Sequence, residues 1–80
     1  MPVPDPHAPT LDTTGLKCPL PVLKARKALK SLDSGAVLHM LADDPAAIVD
    51  VPHFCAEAGH ELIEMQDAPA GGQIFTIKKR

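Results

Sequence analysis

Apolar residues recur along this chain with two different periods, and the switches between them predict the order strand, helix, strand, helix, strand, strand. Leu11 and Thr13 belong to a short first strand, and Gly15 supplies the turn that ends it. Val22, Ala25, Leu29 and Leu32 then repeat at helical spacing, which puts them on a core side, with Lys24, Lys27 and Lys30 opposite and Leu20 and Leu23 near the rim. Ala36 to Ala42 is short and almost continuously apolar, the pattern of an interior strand. Asp44 can cap a second helix with Pro45 in its first turn. Ile48, Val51, Cys55 and Ala58 form its apolar stripe as far as Gly59. Pro52 falls inside that run, so a kink or two abutting helical pieces is expected. Glu61 to Met65 and Phe75 to Ile77 alternate with period two around the turn Pro69-Ala70-Gly71-Gly72, which predicts a closing antiparallel hairpin. The expected fold is an α/β (α+β) two-layer sandwich, β-α-β-α-β-β, with a mixed four-stranded sheet and both helices on one face.

Composition narrows the picture to a single small domain. Eighty residues bury only about 60% of the surface of the extended chain, so one two-layer core is the practical maximum. Phe54 and Phe75 are the only aromatic residues besides histidine, which leaves almost no platform on which nucleic-acid bases could stack. Residues 1–9 hold four prolines and no apolar or basic run; they read as a disordered Pro-rich leader rather than a signal peptide, ahead of one domain over residues 10–80. No apolar stretch approaches the ~20 residues of a membrane span. The two cysteines, 37 positions apart, form neither a CxxC pair nor a zinc pattern, and a cytoplasmic, reducing compartment is expected.

The net charge of −2 conceals segregation. All eight basic residues lie either between Lys17 and Lys30 or at Lys78, Lys79 and Arg80, whereas Asp33 to Asp67 contains no Lys or Arg. The bland reading of the first cluster is the solvated face of an amphipathic helix; the sharper one is a surface that steers an acidic partner toward the nearby Cys18.

Cys18 carries the candidate chemistry. It stands between Thr14-Gly15-Leu16-Lys17 and Pro19-Leu20-Pro21, at the entrance of the first helix. Proline fits a first helical turn, where the leading amides have no intrahelical acceptor. With Cys18 as N-cap and Pro19 and Pro21 at the first and third helical positions, the amides of Leu20 and Val22 would be free to point at the sulfur. The positive end of the helix should then lower the thiol pKa, giving a reactive thiolate.

The segment from Leu11 to Ala25, with Cys18-Pro19-Leu20-Pro21 at its centre, resembles the CPxP signature of the TusA/SirA-type sulfur carrier proteins. The likeness extends to about Ile77 and includes Ala42-Asp43-Asp44-Pro45, Val51 to Cys55 and His60-Glu61-Leu62. The resemblance implies a sulfur carrier whose cysteine, matched by Cys18, holds sulfane sulfur as a persulfide. Gly15, Pro19 and Pro21 support the motif, and Leu20 occupies its variable position. Sulfur would come from a cysteine desulfurase or rhodanese-like donor and pass to an acceptor protein, in tRNA thiolation, molybdenum cofactor formation or sulfur oxidation. Such a relay needs an exposed, available thiolate and a docking surface rather than a local base. The resemblance implies a sulfurtransferase-type carrier rather than an independent catalyst, expected to work as a monomer without cofactor. Lys17, Lys24 and Leu20 are the candidates for stabilising the thiolate or docking partners.

Two other classes stay open beside this one. Cys18 could cycle by oxidation in a thiol redox or selenium-related regulator, with a Cys18–Cys55 disulfide as its signature. The basic helix and C-terminal tail could instead bind RNA, against which stand the acidic pI of about 6.0 and the missing aromatics. Cys55, on the apolar stripe, reads as a buried structural thiol, with a resolving role as the alternative. His53 reads as solvated, His39 as a core or edge histidine with one hydrogen bond, and no metal site is expected from His53, Cys55 and His60.

Overall fold

The computed structural model describes residues 8–80, so most of the expected leader lies outside the described residues. Six elements follow in the expected order: β1 (Thr10–Asp12), α1 (Leu20–Lys30), β2 (Val37–Ala42), α2 (Ala47–Ala58), β3 (Glu61–Asp67) and β4 (Gln73–Lys78). The sheet order is β1-β2-β4-β3, with β1 parallel to β2 and β4 antiparallel to both of its neighbours. This is the mixed four-stranded α+β sandwich read from the sequence. None of the helices among the described residues is long and apolar enough to cross a membrane.

The topology places the site. β4 is antiparallel to β2 and to β3, so β2 and β3 run the same way, as do β1 and β2. Each helix therefore follows a strand of one common direction, and the N-termini of α1 and α2 lie at the same end of the molecule.

Alternation along β2 sends Leu38 and Met40 into the core beside Phe75 and Ile77 of β4, under Ala25 and Leu29 of α1 and Val51, Phe54 and Cys55 of α2. His39 points to the other face and is buried, its Nδ1 3.3 Å from the Thr76 hydroxyl in the paired position of β4. Val22, Leu32 and Leu11 pack at the core's margin.

Three details of α2 depart from expectation. Ile48 is 41% exposed, and the buried stripe is Ala47, Val51, Phe54 and Cys55 instead. Asp44 caps a tighter turn ahead of the helix rather than the helix itself. Its carbonyl accepts from Ala47 N–H at 2.9 Å, Pro45 and Ala46 carbonyls take the next two amides, and the α-type ladder starts with Asp50 N–H to Ala46. Finally, α2 runs as one element through Pro52 instead of two abutting pieces. The carbonyl that Pro52 leaves without an amide belongs to Ile48, on the exposed side, where solvent can replace it.

Candidate functional site

The segment from Asp12 to Leu20 is tied down at nearly every residue. The amide and hydroxyl of Thr14 both donate to Asp12 Oδ1, at 2.9 and 2.6 Å, and these bonds hold the Asp12 carboxyl below its usual range. Thr13 is fully buried, its amide donating to the Leu41 carbonyl at 2.9 Å. Gly15 takes φ +83°, a left-handed conformation that a side chain disfavours, and its amide donates to Asp43 Oδ1 at 2.9 Å. The amide of Cys18 donates to Asp44 Oδ2 at 2.7 Å. Asp44 Oδ1 meanwhile accepts from Ala46 N–H at 3.2 Å. The two consecutive carboxylates that lead into α2 thus hold the turn that presents Cys18 at two points.

The entry into α1 differs from the expected one by one residue. Pro19, joined to Cys18 through a cis peptide, is the N-cap; Leu20 and Pro21 are the first two helical residues. The Leu20 amide is satisfied by the Lys17 carbonyl at 2.9 Å, so it does not point at sulfur. Cys18 stands just outside the helix with its side chain exposed.

Its electrostatics also run opposite to expectation. Hydrogen bonding toward Asp50, partial desolvation, and the negative charges of Asp50 and Asp44 raise the thiol pKa above the ordinary cysteine value. The reason is the topology: α2 and the turn that opens it bring Asp50 and Asp44 to the end of α1, beside the sulfur. The charge of Lys17 helps hold the Asp44 carboxyl down, after the hydrogen bonds from Cys18 and Ala46. Lys24 lies one helical turn onward on the solvent side of α1. Leu20, at 45% exposure, and Leu23, at 51%, form an apolar surface beside the cysteine.

Cys18 opens into a groove of about 240 Å³ between α1 and α2, walled by Val22 and Arg26 on one side and by Asp50, His53 and Phe54 on the other. The Arg26 guanidinium sits 5.0 Å from the centre of the Phe54 ring, and the His60 ring packs on Phe54 at 5.7 Å. His53 is exposed and pairs with Glu57 at 2.6 Å. Burial and the charges of Lys79, Arg80 and Arg26 push the His60 pKa down. Sequence reasoning gave Asp44 only a capping role in the second helix and assigned Asp50 and Arg26 no part in the site. The parallel strands that carry both helices were the signal from which the approach of Asp44 and Asp50 to Cys18 could have been inferred.

The remaining candidates fall away from this end. Cys55 is 2% exposed in the core, where burial raises its pKa, and it lies on the opposite side of α2 from His53. Among the described residues, no three His, Cys, Asp or Glu side chains come together as metal ligands. Lys79 Nζ donates to the Leu29 and Leu32 carbonyls at 2.7 and 2.9 Å, closing the C-terminal end of α1, and the Arg80 amide donates to His60 Nδ1 at 3.0 Å.

Comparison with known proteins agrees with this arrangement. Residues 9–79 match the family described as Sulfurtransferase TusA. The chain is 43% identical over 74 residues to the sulfur carrier protein TusA of Pseudomonas entomophila, covering 92% of this chain and 91% of that protein. It is 46% identical over 70 residues to the TusA of Allochromatium vinosum, covering 86% and 90% respectively. A crystal structure of a SirA-like protein from Desulfitobacterium hafniense superposes with a TM-score of 0.78 at 30% identity, over 88% of this chain and 95% of that one. With the CPxP turn, the exposed cysteine and the sandwich all in place, the chain belongs to the TusA family of sulfur carrier proteins.

Proposed function

We propose that this chain relays sulfane sulfur as a persulfide on Cys18, taking it from a cysteine desulfurase or rhodanese-like donor and passing it to an acceptor protein. The observation that carries this reading is the exposure of the Cys18 thiol on a turn fixed by Asp43 and Asp44. A sulfur carrier needs a nucleophile held at a constant place yet open to two partners in turn.

The transfer balances without a cofactor. Cys18 Sγ attacks the terminal sulfur of the donor's persulfide, an Sγ–S bond forms, and the donor's S–S bond breaks to release its cysteine as a thiolate. The proton of the Cys18 thiol passes to the neighbouring carboxylate of Asp50. The moving sulfur keeps its oxidation state, and the acceptor's thiolate later repeats the attack. Leu20 and Leu23 offer apolar contact to the docked partner, with Lys17 and Lys24 at the edge. Gly15, Pro19 and Pro21 act only through the shape of the turn. Under this reading the protein works in a reducing, cytoplasmic setting, as a monomer between successive partners.

Intact-protein mass spectrometry after incubation with a cysteine desulfurase or a rhodanese-like donor tests this reading. One reductant-labile sulfur should add to the native chain and not to Cys18→Ser. Sulfur acceptance by the Cys18→Ser protein would refute the assignment, and a native chain that accepts none from either donor would refute the carrier function.

A further inference from the structure

β3 is an edge of the sheet, paired with β4 alone among the described residues, so one side of its backbone offers N–H and C=O groups that no strand takes up. The opposite edge, β1, is only three residues long. β3 has seven, and Glu61–Asp67 holds no Lys, Arg or Pro, the residues that commonly close an edge to a further strand. Its first half is irregular, because Ile63 is an extra residue between the pairs Leu62–Ile77 and Glu64–Thr76. From Glu64 to Asp67 the pairing is regular, and both Ile63 and Met65 are exposed.

The bulge sets which side chains share a face. Leu62 and Met65 stand opposite Ile77 and Phe75, two core residues, on the helix side of the sheet. Glu61 and Glu64, three apart in sequence, both fall on the helix-free side, opposite Lys78 and Thr76. Charge along the strand is therefore uneven. Glu61 faces Lys78 across the ladder, and the Arg80 side chain lies against the nearby Gly59. Glu64 and Asp67 face Thr76 and Gln73 instead, and among the described residues neither has an ion-pair partner. The regular half of the edge is thus its uncompensated acidic half. Because β3 runs the same way as β2, that half lies at the end of the molecule where Asp43 and Asp44 hold the cysteine turn.

We propose that this edge binds an extended, basic segment of a partner protein as an added strand. The segment carries Lys or Arg on the helix-free face against Glu64 and, next to it in sequence, an apolar residue on the helix face against Met65. Main-chain hydrogen bonds hold the segment, and the charge selects it. A second copy of this chain is a poor occupant: antiparallel pairing along the whole of β3 sets Glu64 against Glu64 and Glu61 against Asp67, which are like charges. The contact goes beyond the carrier reading, since it uses no atom of Cys18 and leaves the thiol exposed while a partner is held.

A capped hexapeptide alternating lysine and valine is the probe, and the same peptide N-methylated along its backbone, which keeps the charge but has no N–H to donate, is the reference. Binding is followed by fluorescence anisotropy and by amide chemical shifts. The probe should saturate the native chain, shift the amides of residues 61–67 more than those of α1, and bind more weakly as salt is added. Glu64→Lys should weaken it about tenfold and Glu64→Gln less, while Glu57→Gln, an acid in the groove beside α2, and Cys18→Ser should bind as the native chain does. Equal affinity for the N-methylated peptide, native affinity in folded Glu64→Lys, or no saturable binding to the native chain each overturns the strand pairing. Amide exchange that slows along β3 as the peptide-free chain is concentrated would give the edge to a second copy and overturn it too. Sulfur loading of Cys18 is measured on the same samples. Loading without peptide binding removes the edge site and leaves the carrier reading standing, whereas binding without loading does the reverse.

Discussion

The backbone amide of Cys18 is held by the carboxylate of Asp44, 2.7 Å away and 26 residues later in the chain. The proposed sulfur-carrying residue is thus positioned by the turn that opens the other helix, and Asp44 spends its second oxygen on the amide of Ala46. Both amides belong to segments whose donors have no helical acceptor of their own.

Removing that acceptor should loosen both ends of the clamp. In Asp44→Ala, amide hydrogen exchange at Cys18 and Ala46 should accelerate together, with Asp44→Asn intermediate; unchanged exchange at Cys18 would show that the turn holds itself. The same bonds give a pH signature. The folded pKa of Asp44 is depressed, so its contribution to stability is complete above the unfolded carboxylate value of about 3.9 and is lost as pH falls through the lower folded value. Urea midpoints taken between about pH 6 and about pH 2 should therefore fall more steeply for the native chain than for Asp44→Asn.

Asp50 acts on the sulfur itself. Its hydrogen bond and charge both favour the protonated thiol, so Asp50→Asn should lower the thiol pKa and speed alkylation of Cys18 at neutral pH. The check is the pH profile of iodoacetamide labelling read at the Cys18 peptide. A profile that keeps its midpoint would remove Asp50 from the account. If Asp50 also takes the proton during transfer, the same variant should label faster yet accept sulfur from a donor persulfide more slowly, a split that a merely structural residue does not produce.

What the sequence disclosed, and what it hid, follows from the range of each interaction. The six elements were legible because helical and alternating periods are local, and the turn at Cys18 was legible because a glycine and two prolines within seven residues leave few conformations. The stripe of α2 was only half legible: Val51 and Cys55 belong equally to a face completed by Ile48 and Ala58 or by Ala47 and Phe54. The choice is made by what lies opposite, with Arg26 and His60 closing over Phe54. The thiol's electrostatics were misread because the helix dipole is visible in sequence, whereas Asp44 and Asp50 meet Cys18 only through the parallel run of two helices. Lys79, part of the C-terminal basic tail that could bind RNA, is spent on a helix end 47 residues away, which weakens that alternative.

That use of Lys79 has a measurable weight. Its ammonium answers two carbonyls at the C-terminal end of α1, where the helix dipole favours a cation. Lys79→Met keeps the aliphatic stem and removes the charge, and it should cost about 1–2 kcal/mol in urea unfolding while leaving sulfur loading of Cys18 intact. A stability change near zero would mean that water caps those carbonyls equally well.

The hairpin turn between β3 and β4 is coupled to the cysteine turn through Gly72. Gly72 has φ +75°, and a Cβ there would lie 2.5 Å from the Ala42 carbonyl oxygen and 2.9 Å from Asp43 Cα. Both contacts are backbone, so a side chain cannot be accommodated by a rotamer change. Gly72→Ala should therefore push the β2 end outward, at a cost of about 1–3 kcal/mol. Asp43 moves with that segment, and its carboxylate holds the Gly15 amide three residues before Cys18. Amide exchange at Gly15 should accordingly rise in Gly72→Ala more than exchange at Leu38 or Ile77 in the sheet centre. Uniform acceleration would indicate global destabilisation alone, with no coupling between the hairpin and the cysteine turn.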